Sequence, residues 1–131
     1  MTINSLMRAM RYAFPVYVDL QILEDSERCT GAGAEWFIEG FFNPYFEQDD
    51  NLEDCPIEIN IVCYNANQIL EDEELMKEEL LTTYAHELIH LEQYREGRYN
   101  FVDIEENEPE AYARENEWRQ DWHKLMEEKY M

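Results

Sequence analysis

The feature that most constrains this chain is the pattern His-Glu-x-x-His, formed by His86, Glu87 and His90 within the stretch 84–94. Two histidines four residues apart lie about one turn apart on the same face of an α-helix, so both imidazoles can reach one metal ion. The carboxylate between them can activate a metal-bound water without being a ligand itself. The pattern therefore predicts a helix that carries a metal site.

A long helix is predicted over 72–95, and its faces differ. Glutamates crowd its first turns, where negative charge suits the helix dipole. On a helical wheel, apolar side chains cover roughly half of the circumference. They are Leu80, Leu81, Tyr84, Ala85, Leu88, Ile89 and Leu91. Histidines that only pack in a core would lie at the centre of that arc. His86 and His90 lie together outside its centre, so the arrangement favours a metal site over a structural role.

Three segments ahead of that helix have the features of β-strands: 15–23, 34–42 and 57–64. The first alternates strictly, the second is rich in aromatic residues, and the third places three isoleucines and a cysteine on one face. A short helix is expected before them, from Asn4 or Ser5 to about Ala13. The polar segment 24–33 is expected to be a turn region, and the acidic run 47–54 a loop.

A metal site with two helical histidines needs a third protein ligand and an open position for water. His123 is one candidate, and the acidic cluster 103–110 offers several others. A proline suited to the first turn of a helix precedes Glu110, so this residue would project from the first turn of a last helix, predicted over 109–128. Glu110 also has the spacing of a capping-box residue. Spacing alone does not separate a cap from a ligand, or Glu110 from Glu106.

The length and charge of the chain limit its number of domains and the kinds of partner it can bind. With 131 residues, of which 45% are hydrophobic, it is expected to be a single globular domain over 1–131. Its formal net charge of -21 opposes direct binding to nucleic acid or to an anionic membrane. The three cysteines lack a Cys-x-x-Cys spacing, and no signal peptide or membrane-spanning run is evident. These features predict a cytoplasmic protein with reduced thiols.

The motif and the residues that follow it resemble the gluzincin metallopeptidases, of which thermolysin is the familiar example. His86-Glu87-x-x-His90 is followed after nineteen residues by Glu110 and a small residue. In that family the third zinc ligand is a glutamate, usually followed by a small residue, on a second helix. The short chain and the order of its elements are similar to the minimal members, the minigluzincins, and the resemblance covers roughly 15–122.

The resemblance implies a small α+β domain of the zincin type. About three strands, in an antiparallel or mixed sheet, would pack on an active-site helix and a glutamate helix. One zinc ion per chain would be held by His86, His90 and Glu110. The third strand would be the edge strand that borders the cleft, where an extended substrate pairs with the sheet. The residues expected to contact the substrate there are Ile59, Asn60 and Ile61.

The function implied by the resemblance is that of a zinc-dependent endopeptidase. Its substrate would be a polypeptide, and Glu87 would be the general base that takes a proton from the attacking water. Members of the family often stabilise the oxyanion with a tyrosine or a histidine, and the tyrosines available here are Tyr94, Tyr99 and Tyr112. An aspartate four residues after the ligand glutamate supports a ligand histidine in thermolysin. Arg114 stands at that position here, which leaves Glu115 or Glu117 to supply the supporting carboxylate.

Two other hypotheses are compatible with the same sequence. The first is a gluzincin-like domain that binds zinc for a regulatory or binding role, with weak or no proteolysis. The missing aspartate four residues after Glu110, where Arg114 stands, and the short chain favour it. The second is an acidic protein that imitates nucleic acid, as the net charge of -21 would allow. It would bind a basic partner tightly, in a salt-sensitive manner, and would not need His86 or His90.

Overall fold

A three-stranded mixed sheet packed against one long helix forms the centre of the protein. The computed structural model describes residues 2–12, 18–33, 35–46, 56–65, 71–117 and 120. Along them the elements are α1 (Ile3–Tyr12), β1 (Val18–Glu24), α2 (Ser26–Ala32), β2 (Trp36–Phe42), β3 (Ile57–Cys63), α3 (Glu73–Arg95), a 3₁₀ turn (Ile104–Asn107) and a helix over 108–117. This architecture confirms the expected α+β class with a three-stranded mixed sheet.

The strand order in the sheet is β1-β3-β2, with β3 in the middle. β1 runs parallel to β3, and β2 runs antiparallel to it. The expectation that the third strand is the edge strand, with Ile59, Asn60 and Ile61 beside a substrate backbone, is therefore wrong. Both edges of β3 are paired, and Ile59 and Ile61 are fully buried. Almost all residues of β3 are buried, as is typical of a strand that is covered on both faces. Alternation of residue types along the strand does not by itself show that both faces are covered.

β2 is the strand that packs on α3, and half of its backbone groups point away from β3. At its two ends, the Tyr64 N–H donates to the Glu35 carbonyl over 3.2 Å and the Asn43 N–H donates to the Pro56 carbonyl over 2.9 Å. Because hydrogen-bonded pairs alternate along an antiparallel ladder, the main-chain groups of the odd-numbered residues face β3. Those of the even-numbered residues point to the opposite edge; these residues are Trp36, Ile38, Gly40 and Phe42.

The hydrophobic core lies between the sheet, α1 and α3. The whole apolar arc predicted for α3 is buried, and most of it shares one cluster with Ile3, Leu6 and Met10 of α1. A hydrogen bond of 2.6 Å from the Ile3 N–H to the Glu73 carboxylate joins the two helix N-termini. No described helix combines the length and the apolar character needed to cross a membrane.

α2 lies where the sequence predicts a polar turn region, so that expectation is wrong. Asp25 caps the helix by accepting a hydrogen bond from the Arg28 N–H over 3.1 Å, and Gly33 ends it in the left-handed conformation, with φ of 68°. Only Cys29 of this helix is buried. A seven-residue helix that buries one side chain has too weak an apolar period to recognise, and its caps are the remaining signal.

Some expected features lie outside the described residues. They are the start of the first strand at 15–17, the acidic loop 47–54, His123 and most of the last helix beyond 117. The described part of that helix begins at 108, one residue before its predicted start. α3 begins at Glu73 and ends at Arg95, where the sequence predicts its end.

Gly40 allows β2 to approach α3 closely. A Cβ atom added at Gly40 would lie 2.6 Å from Cγ2 of Thr83 and 3.1 Å from both Cγ and Oε1 of Glu87. The first of these distances is shorter than any normal carbon–carbon contact. The close contact between β2 and α3 therefore depends on the missing side chain.

We expect Gly40→Ala to lower the free energy of unfolding by about 1–3 kcal/mol, because the added methyl group forces β2 or α3 to shift. Gly31→Ala is the matched control, since a Cβ atom there meets nothing within 4 Å. Its position in α2 should make that change neutral or stabilising by up to about 1 kcal/mol. Urea denaturation of the three proteins measures the difference. Equal stability of both variants would contradict the close approach at Gly40.

Candidate metal centre

His86 and His90 of α3 meet the side chain of Glu108 at the start of the helix 108–117. Nε2 of His86 lies 2.8 Å from one carboxylate oxygen of Glu108, and Nε2 of His90 lies 3.0 Å from the other. One potential ligand atom from each of the three residues lies within 4.8 Å of the other two. Two imidazole nitrogens and a carboxylate oxygen are metal donors, so these side chains could hold a metal ion.

The second nitrogen of each imidazole has its own partner. Nδ1 of His86 lies 2.7 Å from a carboxylate oxygen of Glu115, and Nδ1 of His90 lies 3.0 Å from Oε1 of Gln93. An amide oxygen only accepts hydrogen bonds, so Nδ1 of His90 carries a proton. In the neutral ring, Nε2 then keeps its lone pair on the side of Glu108. A histidine oriented by a hydrogen bond on its other nitrogen is the usual form of a metal ligand.

Gln93 and Asn107 connect α3 to the segment that carries Glu108. The Gln93 amide donates to the main-chain oxygen of Asn107 over 3.0 Å, which orients its own oxygen toward the histidine. The Asn107 amide donates to the carbonyls of Asn100 and Ile104, and its oxygen accepts from the Asn100 N–H. Both side chains are buried, so this network shapes the turn before Glu108 and sets the position of its carboxylate.

Glu110, the third ligand implied by the resemblance, does not lie beside the histidines. Arg98 contacts its carboxylate over 2.6 and 3.3 Å, and Arg114 contacts it over 3.0 Å. The hydrogen bonds from Arg98, and secondarily those from Arg114, lower the pKa of Glu110. Glu108 and Glu110 lie about 200° apart around a helix axis, so both cannot face His86 and His90. The structure places Glu108 with the two histidines.

A second carboxylate of the helix 108–117, that of Glu115, lies on the same face as Glu108. Glu108 and Glu115 are seven residues apart, which puts them on one face of a helix two turns apart. Both contact His86, one at each ring nitrogen. Glu110 and Glu117 have the same spacing, so the sequence alone does not distinguish Glu108 from Glu110. Glu115 is also one of the two residues expected to support a ligand histidine, whereas Glu117 is exposed.

Glu87 is buried between α3 and β2, with 6% of its surface exposed. Burial raises the pKa of Glu87 to about 7, while the charge of His86 lowers it and that of Glu108 raises it. The pKa of His86 is also raised: burial lowers it, but the hydrogen bond to Glu115 and the charges of Glu87 and Glu108 outweigh burial. A carboxyl group with a pKa near neutrality can take up and return a proton at physiological pH.

Two cavities meet at Gly40, Glu87 and Glu108. One has a volume of about 440 Å³ and extends past His86. The other has a volume of about 380 Å³ and extends past His90. Together they form a cleft that runs along β2 on both sides of the candidate metal site.

Two of the three candidate oxyanion tyrosines line this cleft. The ring of Tyr112 lies 4.8 Å from that of His86, and the ring of Tyr99 lies 6.2 Å from that of His90. Burial, together with the charges of Glu87 and Glu108, raises the pKa of Tyr99, so its hydroxyl group stays protonated as a donor. Tyr94 packs instead against other aromatic rings, those of Phe42, Phe46 and Phe101.

Comparisons with known proteins assign no family to this chain. No protein-family description, no curated protein and no solved structure matched it. The description of the site therefore rests on the residues, distances and charges given above.

We expect His90→Ala and Glu108→Gln to lose or strongly weaken binding of a divalent metal ion, because each removes one of three donors. Glu110→Gln is the matched control, since it makes the same change in a carboxylate that contacts arginines, and the remaining amide oxygen still accepts hydrogen bonds from them. It should keep the metal. Elemental analysis of the dialysed proteins measures this. Metal lost from Glu110→Gln but kept by Glu108→Gln would restore Glu110 as the ligand.

Glu115→Gln should weaken metal affinity by about 10- to 100-fold, because the charged acceptor on Nδ1 of His86 strengthens the donor capacity of Nε2. Glu117→Gln, an exposed carboxylate on the same helix, should leave the affinity unchanged. Competition with a chromophoric chelator gives both dissociation constants. If the two variants bind the metal equally well, Glu115 does not support the site.

Proposed function

We propose that this protein is a zinc-dependent endopeptidase, with His86, His90 and Glu108 as zinc ligands and Glu87 as general base. The proposal is carried by the pairing of both histidine Nε2 atoms with one carboxylate, directly beside a buried glutamate of raised pKa. This arrangement combines the donor set of a catalytic zinc site with a proton acceptor on the same helix. It differs from the gluzincin pattern in the position of the third ligand.

The donor set favours zinc among the divalent ions. Imidazole nitrogens suit zinc and other transition metals better than they suit magnesium or calcium, which prefer oxygen donors. Two histidines and one glutamate leave the fourth position of a tetrahedral ion open, as catalytic zinc sites require. When bound, zinc would supply Lewis-acid polarisation of a peptide carbonyl and would lower the pKa of water.

Glu87 would take a proton from the water that attacks the peptide carbonyl and would return it to the leaving nitrogen. Its side chain faces Gly40 of β2, where the absence of a side chain leaves space above its Oε1 atom. Tyr99 is the residue we assign to the oxyanion. It is partly buried and lines the cavity beside His90, whereas Tyr112 is 64% exposed. A hydrogen-bond donor sheltered from water stabilises developing charge more strongly than an exposed one.

The outer edge of β2 would receive the substrate backbone. The main-chain groups of Ile38, Gly40 and Phe42 point away from β3, and these three residues line the two cavities. An extended peptide can add to such an edge as a further strand. β2 thereby takes the role that the resemblance implies for the third strand of the chain.

Glu87→Gln should reduce the rate of peptide hydrolysis by at least about 100-fold, because the amide cannot accept the proton of the attacking water. Zinc content should stay unchanged, since Glu87 is not a ligand in this arrangement. Hydrolysis of a mixed fluorogenic peptide library by the zinc-loaded proteins measures the rate. Glu71→Gln, which alters an exposed carboxylate on the N-terminal side of α3, serves as the control and should retain the wild-type rate.

The outcomes of this experiment separate the competing functions. A rate unaffected by Glu87→Gln would refute Glu87 as the base. Zinc bound by the wild-type protein without hydrolysis of any library member would favour a regulatory or binding domain. A wild-type protein that binds no zinc would end the peptidase proposal and favour an acidic protein that imitates nucleic acid.

A further inference from the structure

The cleft beside Glu87 has two chemically different ends. We call the cavity past His86 the acidic end; Glu79, Thr82, Thr83 and Glu115 are among its lining residues. We call the cavity past His90 the aromatic end; Phe41, Phe42, Tyr99 and Ile104 are among its lining residues, and Glu105 is its own carboxylate among the described residues. Because both ends meet at the candidate zinc site, groups on either side of a scissile bond would enter different environments.

The acidic end carries an excess of negative charge. Among the described residues, Glu79 and Glu115 line this end alone, Glu87 and Glu108 line both ends, and no lysine or arginine lines the acidic end. Glu115 and Glu108 contact His86, but Glu79 has no ion-pair partner among the described residues. The net charge of -21 adds a long-range field of the same sign. A basic side chain is the group that this end would attract.

The aromatic end continues onto an exposed apolar surface. Ile104 is 59% exposed and Phe41 is 48% exposed, although both line the cavity. The ring of Phe101, itself 49% exposed, lies 5.1 Å from that of Tyr99 and extends the surface beyond the cleft. Neighbouring apolar groups that remain open to water mark a binding surface for another apolar group.

We propose that the substrate is an extended polypeptide segment with a basic side chain at the acidic end and a large apolar side chain at the aromatic end. This inference rests on the proposed peptidase function and names the substrate class of the same site. The outer edge of β2 links the two ends: Ile38 lines the acidic end, Gly40 lines both, and Phe42 lines the aromatic end. These residues span about 13 Å of extended chain, so one strand of substrate reaches both ends.

Matched fluorogenic peptides test this inference on the zinc-loaded full-length protein. The peptides share one length and carry either Lys or Glu on one side of the central bond and either Phe or Ser on the other. Each pair is made in both orders, because either chain direction along β2 satisfies the proposal. We expect the Lys/Phe peptide, in one order, to have a kcat/KM at least about five-fold above those of the Glu/Phe and Lys/Ser peptides. Higher salt should reduce the ratio of kcat/KM between the Lys and Glu peptides, but it should leave the ratio between the Phe and Ser peptides unchanged.

Two variants, each with a matched control, test which end of the cleft causes the preference for Lys and which causes the preference for Phe. Glu79→Gln should reduce the advantage of Lys over Glu by about two- to five-fold, whereas Glu71→Gln should not change it. Ile104→Ser should reduce the advantage of Phe over Ser by a similar factor, because it removes apolar surface from the aromatic end. Val102→Ser is its control: Val102 is 99% exposed on the same segment and does not line the cleft.

Binding of the same labelled peptides, measured by fluorescence polarisation, separates this inference from the proposed function. Hydrolysis of all peptides at similar rates would overturn the inference and leave the peptidase function standing. Absence of hydrolysis together with selective binding of the Lys/Phe peptide would overturn the peptidase function but support the assignment of a basic and an apolar side chain to the two ends of the cleft. Equal binding of all peptides without hydrolysis would overturn both.

Discussion

The contact of one carboxylate with two imidazoles is the interaction on which the site depends. Glu108 lies between Nε2 of His86 and Nε2 of His90. On the other ring nitrogen, Nδ1, His86 contacts Glu115 and His90 contacts Gln93. The arrangement brings three donors together only because the helix 108–117 presents its first turn to the middle of α3. Its geometry is therefore a consequence of how two distant segments pack.

The position of Glu87 in the candidate site depends on a glycine of β2. β2 approaches α3 closely at Gly40, and this approach buries Glu87 while leaving its carboxylate next to the strand. Burial in turn raises the pKa of Glu87 to about 7, which suits a group that takes up and returns protons. The missing side chain at Gly40 thus affects the packing of the sheet on α3, the burial and pKa of Glu87, and the position of the outer edge of β2.

Ion pairs made by Glu110 and Arg114 help to orient the helix 108–117. Arg98 and Arg114 both contact Glu110, and Arg114 also contacts Glu92 of α3. Individual exposed ion pairs contribute little to stability, but a network that joins three segments restricts how they rotate. In a chain with 10 basic and 31 acidic residues, two arginines on the side opposite His86 and His90 hold Glu110 away from them. This leaves Glu108 to face the histidines.

The sequence by itself determined the features that depend on local periodicity and residue chemistry, which are the faces of α3 and the three strands. The motif His86-Glu87-x-x-His90 identified the face of α3 that carries the donors, and the apolar arc identified the face that is buried. The three strands were recognisable because each has its own pattern over seven or more residues. α2 was not, because it buries a single side chain and is marked mainly by its caps.

Only the tertiary structure decided which strand lies at the edge and which glutamate meets the histidines. Alternation in β3 shows which side chains share a face, but strand order depends on which backbones pair, so β2 and not β3 borders the cleft. Glu108 and Glu110 are chemically identical and two residues apart. Their roles diverge because the Asn107 network and the two arginines set the rotation of one helix relative to α3, and that rotation is a property of packing between segments distant in the chain.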